Sequence, residues 1–273
     1  MLIIGNNLLK PVRFKEMRKI VLYVYCFLIS LSGFGQDTAH TAQYRQTLLK
    51  AYPDCITGFD KNYVVFKNGA RLLFDDRKVK TLTEQYSHAD IEDQLKTAYV
   101  KGKTPKPAEF DDPGRIRNDS FFKCMYGATP AAVKQNLATI TWLPGLAPQS
   151  LLVTRINGVD KQLQAVSDEL EKLPVFQKYV AKAAGTFNWR VIKGTTRPST
   201  HSYGIAIDIN TDFSNYWQWD NKTTDENRKI PNYVNRIPFE IVAIFEKHGF
   251  IWGGKWYHYD TMHFEYRPEL LAD

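Results

Sequence analysis

Four residues in the last third of the 273-residue chain have the types and spacing of a hydrolytic metal site. Ser199-Thr-His-Ser-Tyr-Gly-Ile-Ala-Ile-Asp places His201 seven residues before Asp208, and Asp260-Thr-Met-His-Phe-Glu places an acid three residues before His263. Two histidines and one carboxylate make a zinc set that leaves a fourth position for water. A carboxylate that is not a ligand can then take a proton from that water, and Asp260 is the candidate general base. Spacing alone leaves a second reading open, in which each His–acid pair is a hydrogen-bonded structural pair.

Rigid elements must hold such a set. Ile205-Ala-Ile-Asp-Ile alternates, so Ile205, Ile207 and Ile209 share one strand face and Asp208 points to the other. Met262-His-Phe-Glu-Tyr alternates likewise, with His263 and Glu265 opposite Met262, Phe264 and Tyr266. Val159, Leu163, Val166, Leu170 and Leu173 recur at helical spacing, which predicts a core helix over 159–173 closed by Pro174. A second helix is expected from Pro238 to Lys247, stopped by Gly249, with Ile241, Ile244 and Phe245 buried. Upstream, residues 37–52 and 129–139 read as helices and 101–117 as an extended loop. Asn68-Gly69 between two β-prone runs predicts a hairpin in which both residues take positive φ.

The first segment resembles the SxHxxGxAxD signature of peptidase family M15, the D-alanyl-D-alanine carboxypeptidase-like group, through Ser199, His201, Gly204, Ala206 and Asp208. The second resembles that family's closing motif through Asp260, His263, Phe264 and Glu265. Asp rather than Glu as the base looks like the branch with L-alanyl-D-glutamate endopeptidases. The resemblance covers roughly residues 150–273. It implies zinc on His201, Asp208 and His263, Asp260 as base, and a peptidoglycan stem peptide as substrate. It also implies an arginine beside the developing oxyanion. Arg190 and Arg197 are the candidates, with Arg190, expected at the end of a strand, preferred.

Further residues are candidates for binding substrate: Ser199, Tyr203, Trp217, Trp252 and His258. Each has a plainer reading, in turn the cap of a turn for Ser199, packing for the aromatics and an exposed position for His258. Tyr216, Trp217 and Trp219 form an aromatic cluster, and Trp252-Gly-Gly-Lys-Trp256 reads as a tight turn into the last strand. His40, His88 and His248 have no partner pattern and read as surface residues.

The fold class expected is α+β: a small antiparallel sheet with packed helices over 150–273, preceded by an N-terminal α/β extension with a hairpin over 37–149. Residues 1–36 read as an export signal, because Arg18 and Lys19 precede the apolar run from Ile20, followed by Ser32, Gly33 and Gly35. Met17 just ahead of that pair makes residues 1–16 read as an over-called start. An uncleaved anchor is the alternative, but the run is short for a span of about 20 residues. Export, to the periplasm or the medium, makes a Cys55–Cys124 disulfide the expected state, with two unpaired thiols as the alternative.

The net charge of +7 is uneven, with Lys10, Arg13, Lys15, Arg18 and Lys19 in the leader against Glu16 alone. No basic run follows, which sets nucleic acid aside as a partner. With nucleic acid set aside, the resemblance leaves three readings: a zinc peptidase on peptidoglycan stem peptides, a zinc peptidase on another small peptide, or a non-catalytic wall-binding protein of the same fold. Nothing in the sequence reports the oligomeric state.

Overall fold

The computed structural model describes residues 39–104 and 106–271. The expected leader and its Cys26 lie outside the described residues. Contacts divide the chain into two units, residues 1–44 and 45–273. Of the first, residues 39–44 are described and are helical; the second holds all the remaining elements, beginning with a helix over 45–51. No helix among the described residues is long and apolar enough to cross a membrane.

The class is α+β, with helices packed around three small antiparallel sheets. The first sheet is a meander of β1 (Ile56–Asp60), β2 (Tyr63–Phe66) and β3 (Arg71–Leu73). β2 and β3 form the expected hairpin, with Val65 opposite Arg71. Its turn differs from the expectation. Only Gly69 takes positive φ (83°), while the Asn68 side chain closes the turn by accepting from the Ala70 N–H at 3.0 Å.

The second sheet pairs β4 (Leu137–Trp142) with β5 (Gln149–Thr154). This overturns the helix expected over 129–139: the helix spans only Pro130–Lys134, capped by Thr129, and the chain turns into β4. The reason is visible in Leu-Ala-Thr-Ile-Thr-Trp, which is β-branched and alternating and buries Ile140 and Trp142 on one face. The helix Val159–Leu170 packs on this sheet with Val159, Leu163, Val166 and Leu170 buried, as periodicity predicts. It ends before Leu173, which is exposed.

The third sheet positions the site. It comprises β6 (Ala206–Asp208), β7 (Phe250–Trp252) and β8 (His263–Tyr266), in the order β6-β8-β7. The helix Phe239–Lys247 covers it, stacking Phe245 on Phe264 at 3.8 Å between ring centroids. Val242 rather than Ile244 completes its buried face. All four residues of β8 are buried, so the polar face expected for His263 and Glu265 is not open to water but packed against other parts of the chain.

The stretch before residue 119 is woven into this core. Residues 101–117 contain no helix or strand among those described, as their composition implies, but they are pinned. Lys255 donates to the carbonyls of Val100 and Gly102 at 2.6 and 2.7 Å and pairs with Glu246, which also accepts from the Tyr99 hydroxyl at 2.7 Å. Cys55 and Cys124 are both free, so the expected disulfide is not formed. Burial pushes the pKa of the Cys55 thiol up.

Candidate metal centre and active site

Strand register brings the first two candidate ligands together. β6 and β8 run antiparallel with Asp208 directly opposite His263, and Asp208 Oδ1 lies 2.9 Å from His263 Nδ1. His201 comes from the short 3-10 turn Thr200–Tyr203 just before β6. Its Nε2 lies 3.2 Å from Asp208 Oδ2 and 3.2 Å from His263 Nδ1. The motif glycine, Gly204, ends that turn with φ +67°, and a Cβ there would lie 2.8 Å from Leu137 Cδ2 and 3.1 Å from Thr154 N. Glycine thus allows both the left-handed turn and the close seat of the His201 loop against the second sheet.

The other ring nitrogens are held from behind. His201 Nδ1 donates to the Thr186 carbonyl at 2.6 Å, and His263 Nε2 faces Glu265 Oε2 at 3.1 Å. These outer contacts fix each ring's tautomer and aim the inner nitrogens, His201 Nε2 and His263 Nδ1, at Asp208. Glu265 is itself bound by Arg267 Nη1 at 2.9 Å, with Arg117 3.5 Å away. Arg267 continues to Glu269 at 2.6 Å, and Tyr52, from the segment after the first described helix, donates to Glu269.

The charge pattern fits a cation. Burial alone would keep His263 neutral, yet Asp208 and Glu265 overcome it and push its pKa up to about 10. Burial likewise raises the Asp208 carboxyl, but His201 and His263 outweigh it and hold the group well below the usual carboxylate range. In the metal-free chain a proton on His263 therefore stands where a metal cation would. His201, Asp208 and His263 offer three ligand atoms within 4.8 Å of one another, two imidazole nitrogens and a carboxylate oxygen. That donor set suits zinc.

Asp260 sits in the turn between β7 and β8. The bond from its N–H to the Gly253 carbonyl at 3.0 Å holds it there, and a Cβ on Gly253 would come within 2.6 Å of the Asp260 carbonyl. Asp260 Oδ1 is buried and has no hydrogen-bond partner. Burial first, and the neighbouring Asp208 second, push its pKa up to about 7.

A cavity of about 760 Å³ opens over these residues. Ser199, His201, Asp208, Tyr216, Trp217, Trp219, His258, Asp260 and His263 line it. Ser199 does not cap its turn; its side chain faces the cavity lining instead. Trp256, rather than Trp252, comes from the Trp-Gly-Gly-Lys-Trp turn to the cavity. Trp252 is fully buried and donates to the Thr261 carbonyl at 3.0 Å, so it is a core residue. Tyr203 is also core, packed on Phe122 and Tyr126 away from the cavity. His258 is not exposed: it is fully buried against Asp112. His248 is part-buried and bound to Glu169 at 2.7 Å, unlike the exposed His40 and His88.

Four arginines line the cavity: Arg115, Arg117, Arg190 and Arg197. Arg190 lies beside an isolated bridge, Val191 to Pro198, not in a strand. It is exposed, and its guanidinium makes no hydrogen bond or ion pair among the described residues. Arg197 is committed to Glu226 at 3.0 Å and lies over the Tyr86 ring. Arg115, Arg117 and Asp112 escape a reading of the sequence because they sit in an irregular loop about a hundred residues from the motifs. Thr186 escapes because it acts through its backbone.

The family model described as D-alanyl-D-alanine carboxypeptidase matches residues 193–266. That segment is similar to peptidase family M15. Set against the curated proteins and the solved structures, the chain shows no match. The M15 segment holds His201, Asp208, Asp260 and His263, whereas Asp112, Arg117, Thr186 and Arg267 support it from outside the matched residues.

Proposed function

We propose that the chain is a zinc-dependent peptidase hydrolysing an amide bond in peptidoglycan stem peptides. The observation that carries this reading is a two-histidine, one-carboxylate cluster with a separate acid, Asp260, whose Oδ1 is buried and unpartnered, on the wall of one cavity. The M15 match supports the peptidase class and the stem-peptide substrate. His201 Nε2, Asp208 and His263 Nδ1 would hold the zinc, which when bound supplies Lewis acidity and makes water acidic enough to react near neutral pH.

The chain's own residues do the rest. Asp260, raised toward neutrality by burial, takes a proton from the attacking water and returns it to the leaving amine. Arg190, free at the cavity wall, donates to the carbonyl oxygen as negative charge develops there. Thr186 and Glu265 keep the histidine rings aimed, and Trp217 and Trp256 exclude water from one side. The export signal expected over residues 1–36 fits this reading, since the wall substrate lies outside the cytoplasm.

A non-catalytic wall-binding role is the second reading, but a carboxyl oxygen of Asp260 left buried without a partner beside the cluster favours turnover. The deciding experiment incubates the zinc-loaded full chain with purified muropeptides, with and without chelator, and identifies products by mass. A chelator-sensitive product supports the proposal and names the bond. Zinc uptake without any cleavage refutes it.

A further inference from the structure

Beside the metal cluster the cavity wall holds a second assembly that neither the motifs nor the steps above employ. His258 is 1 % exposed. Its backbone N–H donates to Asp112 Oδ1 at 2.9 Å and its Nδ1 to Asp112 Oδ2 at 2.6 Å. Asp112 also accepts from the Tyr86 hydroxyl at 2.6 Å and from Arg115 at 3.1 Å. Burial would raise the Asp112 carboxyl, but Arg115 and the bonds from His258 and Tyr86 hold it well below the usual range, so it is an anion. The Nδ1 proton is thereby fixed toward Asp112, and Nε2 is left as the ring's free end.

That Nε2 is buried and has no hydrogen-bond partner, and His258 lines the cavity. The edge of Trp217, 4.7 Å away between ring centroids, holds the imidazole in place. A ring nitrogen kept from water, oriented by an anion and left without a partner is costly unless a ligand completes it.

The charges say which ligand. Asp112 and Glu226 are matched by Arg115 and Arg197, which both bind Glu226. These four charges cancel, so the Asp112 carboxylate leaves no net negative charge behind the ring. Arg190, Lys193 and Lys222 make the wall positive, while the only acids among the described lining residues, Asp208 and Asp260, sit at the metal end. We propose that His258 is a substrate-binding residue whose Nε2 holds a free carboxylate of the peptide through a shared proton, with Asp112 as its positioning residue.

This deepens the peptidase reading and rests on it for the choice of peptide, but not for its test. The carboxylate is either the C-terminus of the substrate or the free α-carboxylate of an internal γ-linked glutamate. Two probes distinguish these sources: N-acetyl-D-alanyl-D-alanine and N-acetyl-L-alanyl-γ-D-glutamyl methylamide. Each is paired with the analogue in which that carboxylate is an amide.

Binding is measured by calorimetry on the zinc-loaded full chain carrying Asp260→Asn, so that no probe is consumed. One acid is expected to bind about 10- to 100-fold tighter than its amide, the range for a hydrogen bond to a charged group. His258→Gln and His258→Phe should erase that preference while zinc content stays at one per chain. Asp112→Asn should erase part of it. Equal binding of acid and amide in both pairs, a test that needs no His258 variant, overturns the proposal. So does a preference that survives in both His258 variants. Because the readout is binding, a chain that discriminates acid from amide yet cleaves no muropeptide would sink the peptidase reading and leave this subsite standing.

Discussion

The Nε2 of His263 lies 3.1 Å from Glu265, two residues further along the same strand, while its Nδ1 faces Asp208 across the sheet. One strand therefore supplies both a candidate ligand and the group that orients it. Glu265→Gln should keep the fold, because the amide can still accept from Arg267, but lose the negative charge behind the imidazole. Zinc affinity measured against a competing chelator is expected to fall about 10- to 100-fold. Unchanged affinity would remove Glu265 from the account of the metal site.

Replacing Glu265 by Ala is a different experiment. It would leave Arg267, which is fully buried, with part of its charge unmatched. Breaking such a buried pair costs about 3–5 kcal/mol. Urea denaturation should show that loss in the metal-free chain, where zinc binding plays no part.

Asp260→Asn removes the proton acceptor while keeping its shape. A general base contributes about 10²- to 10⁴-fold, and kcat should fall by that amount with zinc content unchanged. The sign of the pH dependence follows from the raised pKa: the group is active when ionised, so activity rises with pH through its titration. Because a bound dication favours the carboxylate, the acid limb should lie below the metal-free value of about 7. A profile that falls with rising pH in this range would exclude Asp260 as the base.

Arg190 and Arg197, the two candidates for the oxyanion arginine, separate by stability. Arg190→Ala, which breaks no contact, should lower kcat about 10²-fold and leave Tm unchanged. Arg197→Ala breaks the Glu226 pair and the stacking on Tyr86, and should cost about 1–2 kcal/mol, seen as a Tm lower by several degrees. The reverse pattern would exchange their roles.

Lys80 gives a prediction independent of the active site. Asp75, Asp76 and Asp90 are close enough to hold an ion, but the Lys80 ammonium lies 2.9 Å from both Asp76 and Asp90 and also pairs with Asp93. Burial nudges the Asp76 carboxyl up, yet Lys80 and the Lys78 N–H pull it from 3.8 down to about 2. A depressed acid contributes stability that is complete above its unfolded value and lost as pH falls through the folded one. Lys80→Met should therefore destabilise the chain by about 3 kcal/mol at pH 6. The gap to wild type should narrow between pH 4 and pH 2. A gap independent of pH would contradict the assignment.

The site is legible in the sequence where chemistry is local. His201, Asp208, Asp260 and His263 stand in two short segments, and strand alternation gives Asp208 and His263 the polar faces on which they meet. The long helix over Val159–Leu170 is legible for the same reason, since its burial repeats every turn. What escapes is set by tertiary contact. Arg117 and Asp112 sit in a stretch whose composition says only loop, and their roles depend on partners about 150 residues away. Trp252 and Trp256 are chemically alike, and only the fold of the intervening Gly253-Gly254 turn sends one to the core and the other to the cavity. The strand at Leu137 is obscured although its alternation is plain, because the helix before it ends only two residues earlier.

The chain of contacts from Tyr52 through Glu269 and Arg267 to Glu265 and His263 also bears on timing. Synthesis runs from the N-terminus, and domains fold as units as they emerge. Here residues from the first fifth of the chain wait on residues 263–269 before the second histidine is held in place. A nascent chain that has made His201 and Asp208 still has no working centre. On the reading proposed above, the metal cluster is therefore completed only once β8 has been made.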